Sequence, residues 1–480
     1  KRISESSRHA RDFTRASLMR VIKETIAAFP VYRSYVRPDG SRDKTDEAHI
    51  AEAIAGARRE SPMIEGSTFD FLHSVLLLRV RGEAAVRFAM RFQQLTGPIM
   101  AKGVEDTALY RFGRLVCLNE VGCDAGRFGG SVEAFHAHNA ALLAQWPLSM
   151  TTTSTHDTKR SEDVRARIAV LSELPGEWSA LVRDLQGRCA RHLASIDGEP
   201  APSPIDVYLL YQTVVGAMPF EGFADAEGKT AFIERVARYM NKLVREAKVR
   251  SSWTNPNAAY DRAVDAFVRG VLGDPEIFAC FESFARRVAS YGAANSLAQL
   301  ALRLASPGVP DVYQGCELWS LTLVDPDNRG AVDFARRRAM LADLRARGAP
   351  TPELAGELVA GFADGRIKLH VTHVGLRMRR EMPALFLEAA YEPLDAPPHV
   401  VAFQRALPDR RLVCVAPRLS ARQTGGARPF AIGDAWGDAR LKVPRAGRYR
   451  DAFTGARLEG AEWPMAKVLA RFPVAWLVDE

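Results

Sequence analysis

The chain is 480 residues long, which exceeds what one small hydrophobic core organises, so two or three domains are expected. Hydrophobic residues make up 47% and charged residues 25%, which excludes a disordered chain, and no apolar stretch reaches the roughly 20 residues of a membrane-spanning helix. The net charge of +8 comes from basic residues interleaved with 57 acidic ones, so neither a nucleic-acid nor a membrane partner is expected.

The six cysteines are scattered and form no standard zinc-binding spacing. Reduced thiols in a cytoplasmic protein are the simplest interpretation. The chain starts at Lys1, with neither an initiator Met nor the apolar core of a signal peptide. We therefore expect it to begin inside a longer protein.

Residues 1–95 carry the pattern of a helical subdomain. Apolar side chains three and four residues apart over residues 11–22 predict an amphipathic helix, and similar patterns recur near 46–60 and 82–95. Residues 30–43 are expected to form a loop with a turn at Arg37-Pro38-Asp39-Gly40.

Residues 96–345 begin with short apolar runs broken by Gly, Pro and Thr. The β-branched run at 150–155 favours a strand. Helical periods return at 162–174 and 229–249, and an apolar helix at 297–305 is expected to end near Pro307-Gly308. Residues 309–315 predict a short extended run.

Residues 346–480 have the texture of a small antiparallel β domain. Strand-like pieces at 370–374, 399–403 and 412–416 alternate with Pro, Gly and Asp turns.

The strongest local chemical signal is the ionisable cluster at 154–163, which follows the predicted strand. In (β/α) barrels such strand ends face the active site, where Asp157 can stabilise positive charge and His156 can bind a hydroxyl. The alternative is that Asp157 or Thr158 caps a helix that begins near Lys159. The spacing alone leaves both open.

A second cluster places Lys102, Glu105 and Asp106 after an apolar run, where they can point into a polar cleft. The alternative is a solvated loop with Glu105 and Asp106 at a helix N-terminus, where the helix dipole favours acids.

Two further segments combine aromatic rings with carboxylates and amides, a combination that suits sugar rings. The candidate binding residues are Tyr313, Glu317, Asp327 and Arg329 in one segment and Trp253 and Asn255 in the other. The alternative is that Tyr313 and Trp319 are core residues and that 325–328 is a plain turn.

Searches for a P-loop, a GxGxxG after a strand, HExxH, paired CxxC and GxSxG find nothing. Neither a metal nor an organic cofactor is expected.

Five segments follow one another along the chain: MAKGVEDTALYRFGRLVCLNEVG (100–122), STHDTKRSEDVRAR (154–167), REAKVRSSWTNPN (245–257), PGVPDVYQGCELWSLTLVDPDNRG (307–330) and PALFLEAAYEPL (383–394). In this order they resemble the maltooligosyl trehalose synthase family of the α-amylase superfamily.

The resemblance implies an α/β fold: the C-terminal part of a (β/α)₈ TIM barrel with helical insertions, followed by an antiparallel β domain. The expected divisions are a helical insertion subdomain (1–95), the C-terminal portion of the catalytic barrel with a helical insert (96–345) and the β domain (346–480).

The implied reaction is an intramolecular transglucosylation, in which the reducing-end α-1,4 bond of a maltooligosaccharide or α-1,4-glucan becomes an α,α-1,1 bond. The superfamily uses a carboxylate nucleophile, a carboxylic acid/base and a third acid that grips the sugar ring. The resemblance makes Asp157 that third acid, His156 its hydroxyl-binding neighbour and Lys159 a reducing-end contact. Lys102, Glu105, Tyr313 and Trp253 are expected to help close the pocket against water.

The nucleophile of this superfamily lies in an R-x-D segment that precedes the third acid. In residues 1–150, Arg37-Pro38-Asp39 matches the R-x-D pattern, but Pro38 and the following Gly40 predict a turn there. The chain is therefore expected to be the C-terminal part of a longer enzyme, to need an N-terminal half-barrel as partner, and to be inactive alone. Two alternatives are an α-glucan hydrolase of the same superfamily and a non-catalytic glucan-binding module.

Overall fold

The computed structural model describes residues 2–5 and 8–480 and divides into two compact units, residues 1–111 and 112–480. The first unit is helical, as the sequence predicts. Its helices are α1 (Arg2–Glu5), α2 (Arg15–Ala27), α3 (Lys44–Glu60), α4 (Gly66–Leu76) and α5 (Glu83–Val104).

Polar caps begin two helices of the first unit, α2 and α3, and an apolar core holds the unit together. Thr14 caps α2 by accepting a hydrogen bond from Ser17 N, and Asp43 caps α3 in a reciprocal capping box with Asp46. The core contains Val21, Ile50, Phe69, Leu72 and Phe92.

The second unit begins with a series of helices. They are α6 (Val132–Gln145), α7 (Glu162–Ala169), α8 (Pro175–Cys189), α9 (Pro204–Ala217), α10 (Ala226–Ala247), α11 (Ala258–Gly273) and α12 (Pro275–Ala305). Helix α12 is buried over most of its C-terminal half, against α7, α9 and α11. Its end at Ala305 agrees with the predicted stop before Pro307-Gly308.

Four more helices precede the sheet: α13 (Phe334–Ala346), α14 (Pro352–Ala360), α15 (Arg366–Glu381) and α16 (Pro383–Leu387). Two short helices, α17 (Ser420–Gln423) and α18 (Met465–Val468), lie between its strands in sequence. No helix in the described residues, 2–5 and 8–480, has the length and apolar character that crossing a membrane requires.

Strands β1 (Met150–Thr151) and β4 (Val309–Pro310) form a parallel pair, with Met150 opposite Val309. Strands β2 (Ala194–Ile196) and β3 (Glu199–Ala201) form a hairpin. The remaining strands form one antiparallel sheet in the order β5-β6-β7-β10-β8-β9. They are β5 (Ala390–Pro393), β6 (Val400–Ala406), β7 (Arg411–Pro417), β8 (Arg440–Asp451), β9 (Arg457–Pro464) and β10 (Ala475–Asp479).

The C-terminal antiparallel sheet confirms that part of the predicted fold, whereas the strand predicted at 370–374 is wrong. Those residues lie in the middle of α15, which buries Ile367, Val371, Val374 and Met378 at helical spacing. Helices fill 352–387, so the sheet starts at Ala390, later than the texture of the sequence indicates. The barrel and the three-part division at 95 and 345 stay predictions.

Candidate active site

The site begins where β1 and β4 end. Asp311 N donates to Thr151 O and Val309 N donates to Ser149 O, both at 2.8 Å, which aligns the two strands. Because the strands are parallel, the segments that follow them leave from the same edge. After β1 comes the loop of residues 152–161, which we call the Asp157 loop, and after β4 comes the segment that carries Tyr313.

Short hydrogen-bonded turns shape the Asp157 loop. Thr152 Oγ1 donates to Ser154 O at 2.7 Å, Thr155 Oγ1 accepts from Asp157 N at 3.1 Å, and Thr158 Oγ1 donates to Thr155 O at 2.9 Å. The side chain of His156 is exposed, and that of Asp157 is 48% exposed.

The alternative in which Asp157 or Thr158 caps a helix at Lys159 is wrong. Helix α7 starts at Glu162, with Ser161 at its N-cap position. Ser154 Oγ accepts the hydrogen bond from Glu162 N at 3.0 Å. The Asp157 carboxylate therefore does not cap α7, and its side chain stays half-exposed.

The buried side chain of Lys159 lies beside Asp157. It is 2% exposed, and Nζ lies 3.6 Å from Asp157 Oδ1 and 3.5 Å from Asp157 O. The buried ammonium of Lys159 therefore lies beside the half-exposed carboxylate of Asp157 and helps to fix its position.

Glu120 anchors the end of the Asp157 loop, and sequence reasoning did not single it out. Its buried carboxylate accepts hydrogen bonds from Lys159 N, at 3.0 Å to each oxygen, and from Arg160 N at 3.4 Å. Arg165 Nε lies 3.5 Å from the same group. Nothing in the local sequence distinguishes Glu120 from other acidic residues, since its partners lie about 40 positions further on.

Asn328 anchors the front of the Asp157 loop. Its Nδ2 donates to Thr155 O at 3.3 Å and His156 O at 3.1 Å, and Tyr313 OH donates to Asn328 O at 3.1 Å. The structure thus brings together His156, Asp157 and Lys159 with Tyr313. The sequence pattern indicated the 325–329 segment as a candidate, but it did not indicate that Asn328 holds the backbone of the Asp157 loop.

Two predicted binding residues that flank Asn328 have charged partners in the same region. Asp327 Oδ2 accepts from Leu323 N at 2.8 Å and lies 3.4 Å from Arg235 Nη1. Arg329 Nε lies 3.8 Å from Asp325 Oδ2. Asp327 lines a cavity of about 1040 Å³, which Trp253 also lines. Asn255 is exposed in the loop that carries Trp253.

Glu317 lies apart from these residues, although it is close to Tyr313 in sequence. Its Oε2 accepts from Arg337 Nε at 2.9 Å, and it lines a different cavity of about 920 Å³ with His373 and Arg345. Trp319 donates from Nε1 to Phe362 O at 2.7 Å and packs on Phe220, as expected for a core residue.

Lys102, Glu105 and Asp106 lie in the first unit, at the end of α5. Lys102 Nζ pairs with Asp106 Oδ2 at 2.9 Å, and Glu105 accepts a hydrogen bond from Tyr32 OH. The alternative that put Glu105 and Asp106 at a helix N-terminus is wrong, because Glu105 is the C-cap residue of α5. The helix continues through Pro98, where the sequence predicted a change of pattern.

A buried ion cluster lies at the start of α7, the helix that follows the Asp157 loop. Lys368 Nζ is 2.7 Å from Glu162 Oε1 and 2.8 Å from Asp163 Oδ2, and the three side chains are 0%, 4% and 2% exposed. Burial raises the pKa of Asp163, with Glu162 beside it adding to the effect. Burial alone lowers the pKa of Lys368, but the two carboxylates raise it above its ordinary value.

Comparison with known proteins places these features in a wider context. No family model matches the chain. Two Mycobacterium tuberculosis proteins, both provisionally named as maltooligosyl trehalose synthases, are 39% identical over 399 residues, which is 82% of this chain and 46% of each relative.

Solved structures give the same result. The maltooligosyltrehalose synthase from Arthrobacter ramosus matches with a TM-score of 0.80 and 33% identity, over 100% of this chain and 56% of that one. A maltooligosyl trehalose synthase from Sulfolobus tokodaii, described as hypothetical, matches with a TM-score of 0.71 and 29% identity, over 97% and 55%. The chain spans about half the length of these relatives, and the predicted resemblance to maltooligosyl trehalose synthases is confirmed.

Proposed function

We propose that this chain is part of a maltooligosyl trehalose synthase that converts the reducing-end α-1,4 bond of a maltooligosaccharide to an α,α-1,1 bond. In this reaction the bond between C1 of the penultimate glucose and O4 of the terminal glucose breaks. A carboxylate holds C1 covalently while the acid/base protonates O4. The freed glucose then attacks C1 through its anomeric hydroxyl, which returns the proton to the acid/base, and no water enters the products.

In this proposal Asp157 is the third acid, which grips hydroxyls of the sugar that carries the reacting C1. His156 donates to a neighbouring hydroxyl, and Lys159 holds the Asp157 carboxylate in position. An anionic carboxylate that holds the sugar ring favours the positive charge that develops at C1 in the transition state.

The observation that carries the proposal is the construction of the Asp157 loop. Its backbone is held at both ends, by Asn328 at Thr155 and His156 and by Glu120 at Lys159, while the carboxylate of Asp157 stays half-exposed. An acid that binds substrate hydroxyls needs a backbone that is fixed and a side chain that is accessible to the ligand.

We also propose that the nucleophile, the acid/base and the strands that close the barrel lie outside this chain, in an N-terminal half-barrel. The matched relatives are about twice as long. Strands β1 and β4 are two residues long, and apolar Met150 and Val309, which face each other in the pair, are 73% and 40% exposed. Further strands pairing along these edges would cover them.

The test follows reducing ends and free glucose during incubation with maltohexaose. The 480-residue chain alone is expected to change neither. The same chain extended by its own upstream coding sequence should lower reducing ends without releasing glucose. Asp157→Asn in that longer protein should reduce the rate by about 10³-fold. Asp184→Asn, an exposed carboxylate on α8 paired with Arg188, is the matched control and should leave the rate unchanged.

The other outcomes contradict the proposal in different ways. Glucose and reducing ends rising together would identify a hydrolase. Maltohexaose binding to the longer protein without any reaction would indicate a glucan-binding module. Turnover by the 480-residue chain alone would show that its own residues supply the nucleophile and the acid/base.

A further inference from the structure

A groove beside the Asp157 loop has the construction of a carbohydrate subsite. Helices α10 and α11, with residues 324–330, line a cavity of about 1040 Å³, at the upper end of the size range of ligand pockets. The described residues that line this cavity all belong to the second unit.

Trp253 offers an aromatic platform in this groove. It lies in the loop between α10 and α11 and is 53% exposed. The guanidinium carbon of Arg245 lies 4.9 Å from its ring centroid, and Arg245 is held by Asp261 Oδ2 at 3.0 Å and 2.8 Å. A fixed cation therefore lies against the indole, and the exposed half of the residue offers an aromatic surface of the kind that the C–H face of a sugar ring packs on.

The charges of the lining favour a neutral polyol over an anion. The basic and acidic side chains that line the groove are nearly balanced: Arg235, Arg238, Lys242, Arg245 and Arg262 against Asp261, Asp265, Asp325 and Asp327. Several of them pair with one another, as in Lys242–Asp325 at 2.6 Å. Paired cations and carboxylates can still donate to and accept from hydroxyls, whereas an anion would have to displace the carboxylates.

The groove adjoins the proposed reaction site. Asp327 lines the groove, and the next residue, Asn328, holds the carbonyls of Thr155 and His156. One turn of chain therefore shapes both the groove and the Asp157 loop, which places the groove beside the proposed reaction site.

We propose that the Trp253 groove is an outer glucan subsite, which binds glucosyl units beyond the two that react and so favours longer chains. This inference rests on the proposed function for its ligand class. It makes Trp253 a residue that governs chain-length preference. A glucosyl unit stacks on the Trp253 ring, which Arg245 and Asp261 hold in place.

Calorimetric titration of the 480-residue chain with maltoheptaose and with maltotriose tests the inference without requiring turnover. Wild type should bind maltoheptaose more tightly than maltotriose. Trp253→Ala should weaken maltoheptaose binding by about tenfold, and Trp253→Phe should stay within about threefold of wild type because a ring remains. Trp146→Ala removes a comparably exposed tryptophan outside the groove and should bind as wild type does.

Three results would overturn the inference: equal affinity of Trp253→Ala and wild type, equal loss in Trp146→Ala, or displacement of maltoheptaose by inorganic phosphate. The groove and the proposed reaction can fail separately. If the longer protein binds maltoheptaose through Trp253 but forms no α,α-1,1 product, the proposed reaction fails. If it forms that product but Trp253→Ala leaves maltoheptaose affinity unchanged, the groove fails.

Discussion

Replacing Lys368 by Met is expected to destabilise the second unit strongly. Lys368 Nζ is the cation between Glu162 and Asp163, and Asp163 Oδ2 also accepts from Ser320 N at 2.7 Å. Met keeps the volume of the side chain but removes the charge, which leaves two buried carboxylates beside each other. Breaking a buried pair in this way costs about 3–5 kcal/mol of unfolding free energy.

Urea unfolding followed by tryptophan emission measures this loss selectively. All seven tryptophans lie between residues 146 and 476, so their emission reports on the second unit. The destabilisation should be largest near pH 8 and smaller near pH 5. Without Lys368, the buried carboxylates take up protons at the lower pH, and protonation relieves their repulsion.

Two further variants test the physical reasoning. Arg286→Met removes the cation of an exposed pair with Glu282 on α12, at 3.5 Å, and should change the unfolding free energy by less than about 0.5 kcal/mol. Lys368→Met combined with Glu162→Gln and Asp163→Asn should recover much of the loss. A change below about 1 kcal/mol for Lys368→Met, or one independent of pH, would refute the account.

Two other predictions concern a buried acid and helical glycines. Burial raises the pKa of Asp451 to about 6, so the folded state binds its proton more tightly than the unfolded chain does. The resulting stabilisation is complete below about pH 3.8 and is lost as pH rises through about 6. When the pH is raised from 4 to 7.5, the unfolding free energy of Asp451→Asn should therefore rise by up to about 3 kcal/mol relative to that of wild type. An equal difference in urea midpoint between variant and wild type at the two pH values would contradict this. In Gly292→Ala the new Cβ would lie 2.3 Å from Arg167 Cγ and 2.9 Å from its Cα, which should cost about 1–3 kcal/mol. Gly187→Ala has open space and should gain about 0.5–1 kcal/mol in the same unfolding assay; the opposite order would refute the packing argument.

The strand predicted at 370–374 is wrong because the helical period of the longer segment around it determines the structure. The five residues at 370–374 include two Val and one Thr, which are β-branched residues that favour a strand. Over the 16 residues of α15, however, Ile367, Val371, Val374 and Met378 fall on one helical face, and that face is buried. A packed face over four turns outweighs the β preference of a few residues, since tertiary packing decides between weak propensities.

The residues that position the site were harder to predict than the residues that form it. His156, Asp157 and Lys159 are adjacent in sequence, and the strand before them gave their place. Their supports are remote: Asn328 lies 173 positions from Thr155, and Lys368 lies 205 from Asp163. A single amide or lysine carries no local signal of such a role, and only the fold brings these groups together.

The supports share a property that bears on function, because most of them bind backbone atoms of the Asp157 loop. Asn328 donates to the carbonyls of Thr155 and His156, and Glu120 accepts from the N–H groups of Lys159 and Arg160. A residue that serves only as a helix cap would show the reverse pattern, with its side chain bonded and its position set by the helix. At Asp157 the backbone is fixed and the carboxylate is half-exposed, with Lys159 beside it. If Asp157 has the role proposed above, the loop holds its carboxylate in place before a substrate arrives, and binding a sugar requires little reorganisation of the protein.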